Sequence, residues 1–283
     1  MRKLLKKAAA VTLTAAMAAS LTACGGSGDG AAKETGEAQA AGEDGEKIKL
    51  TLCVGRKNDL SFQQSAFEGS ERVKKELGDK YEVNVVEMGE DTTKWQAAFY
   101  DAADAGADIV VGTGFQNKEN FETIPLEYPD TKFILFDQEL DFESNDLSNT
   151  MAVLFDSNQS GFLAGAVAAY YTTGENAANA DKTIGFVGGV ESTTVNNFLV
   201  GYAEGAKYVD PEIKVMTSYV GSFEYVSKCM EMTTQLYNQG AQVVYAPASQ
   251  SILGAATAAQ NADKYLIACD QDLYSELAES DKD

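Results

Sequence analysis

The chain has 283 residues, 45% of them hydrophobic, enough to bury a large core and to build two domains. Its formal net charge of −21 argues against nucleic acid as a partner and against electrostatic docking on anionic lipid. Histidine is absent, which excludes Ser-His-Asp and Cys-His nucleophile systems, His-ligated zinc and HExxH chemistry.

Residues 1–23 carry Arg2, Lys3, Lys6 and Lys7, then an Ala-rich apolar run with no acid, which reads as a secretory signal rather than a membrane span. Its removal would make the mature chain four units more negative. The run ends in "LTAC", which resembles the bacterial lipobox and makes Cys24 the candidate lipidation site. An ordinary small-residue cleavage site beside a chance cysteine is the alternative. Residues 24–46 are rich in Gly, Ala and acids without apolar periodicity. They read as a flexible tether spanning roughly 25 Å as a coil.

From Lys47 onward short β-type runs alternate with amphipathic helical stretches. The strand candidates are "IKLTLCVG", "EVNVVEM", "DIVVGTG", "KFILFD", "MAVLFD", "TIGFVGG", "IKVMTSYVG", "AQVVYAP" and "KYLIACD". Helical patterns include "SFQQSAFEGSERVKKELG", "TTKWQAAFYDAADAG", "SGFLAGAVAAYYTTG", "TTVNNFLVGYAEGAKYV" and "FEYVSKCMEMTTQLYNQG". Gly78, Gly106 and Gly240 stand where a C-terminal cap belongs. This alternation predicts βαβ units and parallel sheet, and the series comes twice, at about 48–137 and 183–270. The expected architecture is α/β, two doubly wound lobes with a hinge, a first lobe over 47–150 and a second over 151–283. A single large sheet is the alternative.

In such sheets ligands collect beyond the carboxyl ends of the strands. The residues there, "RKND", "FQN", "DQE", "VEST", "SFE", "ASQ" and "DQD", are rich in amides, hydroxyls and carboxylates. Asn58, Asp59 and Phe62 are expected on the wall of a cleft between lobes. Cys53 and Cys269 in strand-like runs and Cys229 in a helical one read as buried small hydrophobes, neither a disulfide framework nor a metal site. No GxxxxGK loop is present, and "GTGF" and "GFVGG" lack the GxGxxG spacing.

The stretches "NDLSFQQSAFEG", "YPDTKFILFD", "GFLAGAVAA", "IGFVGGVESTTVNNFLVGYAEGAK" and "YVGSF" resemble, in order and spacing, the basic membrane protein family over about 48–272. These are lipid-anchored substrate-binding proteins of ABC importers, many of which take up purine nucleosides. The resemblance implies the type I periplasmic-binding-protein fold, two Rossmann-like lobes that close on a ligand, with no catalysis and no cofactor. It implies an ABC permease and ATPase as partners, a monomer, and a lipid-anchored position outside the membrane. Family pockets sandwich the base between two rings. Phe62 matches the first ring and Phe198 the second, Asn58 and Asp59 match the polar pair, and Asp137 and Asp270 match strand-end carboxylates.

Two departures stand out. "APASQS" (Ala246 to Ser251) replaces a glycine-rich turn common in the family, and the chain stops at "ESDKD", short of the segment expected to return to the first lobe with a pocket lysine. The first lobe is therefore expected to be incomplete.

Each candidate has a purely structural reading. Phe62 could be a core or staple residue, although Ser61 and Gln64 fit a capping box that puts Phe62 in an exposed first turn. Asp59 could be an N-cap, Asp137 and Asp270 caps of following helices, and Phe198 part of a buried stripe with Leu199 and Tyr202. Phe115 and Trp95 read as packing, and Arg56 and Lys57 as solvated or paired, which favours a neutral ligand. The competing functions are a receptor for a free sugar or other polar solute, and a carboxylate-based nucleoside or glycoside hydrolase using two of Asp59, Asp137 and Asp270.

Overall fold

The computed structural model describes residues 46–174 and 181–280. The expected leader, Cys24 and the tether up to residue 45 lie outside the described residues.

Among the described residues nine strands form two wholly parallel sheets. The first holds β1 (Ile48–Val54), β2 (Tyr81–Glu87), β3 (Ile109–Thr113), β4 (Lys132–Phe136) and β5 (Thr150–Val153) in the order β2-β1-β3-β4-β5. The second holds β6 (Thr183–Gly188), β7 (Lys214–Tyr219), β8 (Val243–Tyr245) and β9 (Tyr265–Ile267) in the order β7-β6-β8-β9. The helices between them are α1 (Phe62–Leu77), α2 (Trp95–Asp104), α3 (Lys118–Thr123), α4 (Ser157–Thr173), α5 (Thr193–Val209), α6 (Val226–Asn238) and α7 (Ile252–Ala262), with α8 (Leu273–Ser280) after the last strand. Two lobes, rather than one large sheet, are thus what the alternation builds.

One boundary moves. The run "MAVLFD", expected to open the second lobe, contributes β5 to the first sheet, pairing Phe133 with Thr150 and Phe136 with Val153. The crossing to the second lobe therefore follows Val153, not residue 150.

Burial explains the apolar patterning. Central strands face helices on both sides, so they are apolar along their length: β6 is buried throughout, and β1 from Thr51 to Val54. Edge strand β2 alternates polar and apolar positions instead. Phe99, Phe121 and Phe133 fill the first lobe beside Cys53, while Phe186, Tyr202 and Tyr245 fill the second.

The closest packing joins α4 and α5. A Cβ added at Gly165 would lie 1.9 Å from the carbonyl oxygen of Tyr202, and one at Gly205 would lie 1.9 Å from that of Phe162. Gly161 and Gly201 are similarly crowded by backbone, so the two helices touch main chain to main chain. Of the three expected glycine caps, Gly106 and Gly240 adopt the left-handed conformation, with φ of 77° and 105°. Gly78 stays right-handed at φ −68°, because α1 runs straight into a turn leading to β2.

Candidate functional site

Each sheet reverses its winding beside its first strand, between β1 and β3 in one lobe and between β6 and β8 in the other. The loops leaving these strands meet across a cleft of about 1050 Å³. Of the expected site residues, Asp59, Phe62, Asp137, Phe198 and Asp270 all line it. Asn58 does not: it is exposed and outside the lining, because the turn after β1 directs Asp59 inward in its place.

Asp59 is 3% exposed and its oxygens are committed. One accepts the backbone N–H groups of Ser61 and Gln64 at 3.0 and 2.9 Å. The other accepts from Gln63 N–H at 3.3 Å and from the Ser249 hydroxyl, of the second lobe, at 3.0 Å. Asp59 therefore caps α1, and the expected Ser61–Gln64 capping box does not form: Ser61, at the N-cap position, makes no side-chain cap bond. Its hydroxyl instead donates across the cleft to Asp270 Oδ2 at 2.5 Å.

Asp137 and Asp270 follow β4 and β9 at φ 67° and 69°, the left-handed region that aspartate tolerates better than most side chains. Burial, reinforced by the charge of Asp270, pushes the Asp137 carboxyl up to about 6. Burial also raises Asp270, with Ser61 and the Cys269 thiol pulling it down and Asp59 pushing it further up. Cys269 lies beyond the end of β9 and lines the cleft, 3.5 Å from the Tyr245 hydroxyl, so it is not the strand-buried residue expected. Cys53 and Cys229 are fully buried.

Rings cluster along the same walls. Phe62 meets Phe155 edge-on at 6.2 Å, and Phe155 stacks with Phe136 at 6.4 Å. Phe115 of the first lobe faces Phe223 of the second at 6.3 Å, so Phe115 is a lining residue rather than packing alone. Phe198 both lines the cleft and packs on Tyr245 at 6.2 Å, which joins its two expected readings. Trp95 is 4% exposed, its indole N–H donating to the Gly89 carbonyl, yet part of it borders the cleft.

Arg56 is the sole cation of the lining, against Asp59, Glu90, Asp137, Asp156, Glu224 and Asp270. It is paired, as expected: with Glu90, with Glu224 at 3.6 Å, and by donating to Gln250 Oε1 at 2.8 Å. Burial raises Glu224 against the pull of Arg56. Among the described residues no cluster of three or more His, Cys, Asp or Glu side chains could hold a metal ion. None of their helices is long and apolar enough to cross a membrane.

Sequence reasoning missed Phe155 and Gln63. Phe155 falls in the strand candidate "MAVLFD", yet "ILFD" and "VLFD" end alike, and both place their Asp at the cleft. Gln63 had no such signal. Its carbonyl accepts from Gly55 N–H and the Thr113 hydroxyl, at 3.0 and 2.7 Å, partners set only by the fold.

Residues 47–281 match the protein-family model Bmp, described as ABC transporter substrate-binding protein PnrA-like. The chain belongs to the Bmp family. It is similar to basic membrane protein A of Borreliella burgdorferi, 29% identical over 79% of this chain and 63% of that protein. It is also similar to the ABC transporter nucleoside-binding protein BmpA of Lactococcus lactis, 30% identical over 70% of this chain and 54% of that protein. Among solved structures it resembles an ABC transporter solute-binding protein from Conexibacter woesei, with TM-score 0.60, 26% identity, and coverage of 79% of this chain and 70% of that one. The fold of this Bmp-family chain is the type I periplasmic-binding-protein fold. The chain spans under two thirds of the length of both named curated relatives.

Proposed function

We propose that the chain captures a nucleoside, a purine one in the first instance, between its lobes and delivers it unmodified to an ABC permease with its ATPase. The observation that carries this reading is Asp137: a half-buried carboxyl on the cleft wall that, among the described residues, accepts no hydrogen bond from the protein. Its acceptor oxygens are free to take a donor from a ligand that closes the cleft. The hydroxyls of a ribose or the edge of a base supply one, and Asp270 stands near enough to feel the same charge. Phe62, Phe155 and Phe198 offer faces to a base, each stack contributing roughly 1–3 kcal/mol.

Six carboxylates against one committed arginine disfavour phosphorylated ligands, since a phosphate would meet uncompensated like charge. Asp59 in this reading holds the α1 turn rather than the ligand, and Asn58 has no ligand role. The nucleoside class draws support from the name of the Lactococcus relative. Export as a lipoprotein anchored through Cys24 draws support from "LTAC" and the leader, and the monomer from the family resemblance.

Trp95, the only tryptophan, borders the cleft and reports on it. Titration with inosine, guanosine, adenosine and sugars, followed by its fluorescence and by calorimetry, tests the proposal. Saturable nucleoside binding without release of free base is expected. A response to sugars alone defeats the nucleoside assignment, and released base makes the protein a hydrolase.

A further inference from the structure

We propose that Ser61 is a positioning residue, whose hydroxyl, by donating across the cleft, ties closure of the lobes to presentation of the Asp270 carboxylate. The inference rests on the reading that this cleft takes a donor-bearing ligand.

A serine at an N-cap position ordinarily spends its oxygen on the helix N–H groups. Here Asp59 has taken that role, and Ser61, 3% exposed, is released from it. Its hydroxyl lies 2.5 Å from Asp270 Oδ2, a charge-assisted contact between residues of different lobes. Among the described residues the other side-chain donor to Asp270 is the Cys269 thiol at 3.4 Å, a weak one. Ser61 is thus the strong protein donor that orients this carboxylate, and it belongs to the opposite lobe.

The contact is one of a set. Ser249 donates to Asp59 at 3.0 Å and the Gln271 amide donates to the Ser65 hydroxyl at 2.8 Å, both from second-lobe loops onto the start of α1. All three bonds are between side chains, so lobe separation breaks them without disturbing a backbone ladder. The groups facing Asp270 are Asp59 on the α1 turn, Asp137 after β4, and Cys269, backed by the Tyr245 hydroxyl of β8. Arg56 is occupied by Glu90, Glu224 and Gln250. Without the Ser61 hydroxyl, Asp270 stands among acids with only a thiol to steady it, and it takes up a proton at higher pH.

The test compares wild type, Ser61→Ala and Ser61→Thr as the full chain. Inosine, guanosine and adenosine are titrated from pH 5 to 8 by Trp95 fluorescence, and the Asp270 carboxyl is titrated by ¹³C NMR. Ser61→Ala should bind about tenfold more weakly at neutral pH, the expected loss of one charge-assisted hydrogen bond. Its affinity should also fall away at higher pH than that of wild type, and its Asp270 midpoint should rise. Ser61→Thr should restore most of each. If the Ser61→Ala protein melts early, Ser61→Cys, which keeps the volume and weakens the donor, takes its place in both titrations with the same expectations. A Ser61→Ala protein with wild-type pH profile and wild-type Asp270 titration overturns the proposal. If wild type binds no nucleoside, the nucleoside reading fails separately, and the Asp270 titration alone still decides the role of Ser61.

Discussion

Asp137 and Asp270 follow strands of different lobes and adopt the same left-handed backbone, and the charge of Asp270 acts on Asp137 across one cleft. Neither carboxyl is placed for its own stability. An acid held above its unfolded value binds more protons in the folded state. The stability it contributes is therefore present in acid and is lost as pH rises from the ordinary aspartate range through about 6. Asp137→Asn keeps the shape and the tolerance for positive φ. The variant should gain about 1–2 kcal/mol over wild type at pH 7.5, after allowing for solvent screening, and nothing near pH 4. Urea unfolding at the two pH values measures the difference; an equal gain at both contradicts it.

Asp59 accepts three backbone N–H bonds at the start of α1 and one from Ser249. Asp59→Ala should therefore lower stability by about 1–2 kcal/mol, the usual loss of an N-cap, before any effect on ligand. Asn58→Ala, at an exposed position off the lining, should leave both melt and binding unchanged. A stable Asp59→Ala protein that merely fails to bind would return Asp59 to the ligand.

The α4–α5 contact predicts opposite signs for one chemical change. At Gly165 or Gly205 an alanine methyl meets a carbonyl oxygen at 1.9 Å, and backbone cannot step aside as a side-chain tip can. Each Gly→Ala change there should destabilise by about 2–3 kcal/mol. Gly69, on the exposed face of α1 with nothing within 4 Å, should instead gain about 0.5–1 kcal/mol as alanine. Thermal melts of the three variants suffice.

Phe62→Ala and Phe155→Ala should each weaken nucleoside binding about tenfold or more, in line with loss of a stacking face. Phe155 is 52% exposed, so its removal should barely move the melting temperature, whereas affinity measured by calorimetry should drop. Intact affinity in both variants would remove the rings from the recognition of the base.

How much of this was legible in the sequence depended on range. The central strands follow from apolar runs, since buried parallel strands need continuous hydrophobic side chains, and edge strand β2 follows from its alternation. The site's location followed too, because loops at the carboxyl ends of parallel strands must share one side of a sheet. Which oxygen meets which donor was not legible. Asp59 and Ser61 exchanged their expected parts, because Ser61 has a partner 209 residues away that local capping rules cannot see. Phe155 went unrecognised because an apolar residue at the end of a strand looks the same whether it continues the ladder or leaves it. Gln63 was hidden for a like reason, its two donors coming from β3 and the turn after β1.

Phe155 sits in the short passage from β5 to α4, where the chain leaves one sheet for the other, and its ring rests on Phe62 and Phe136 of the lobe it is leaving. Immediately beyond it, α4 is seated rigidly on α5. One residue thus belongs at once to the wall of the cleft and to the crossing between sheets, so bulk removed at Phe155 loosens both together.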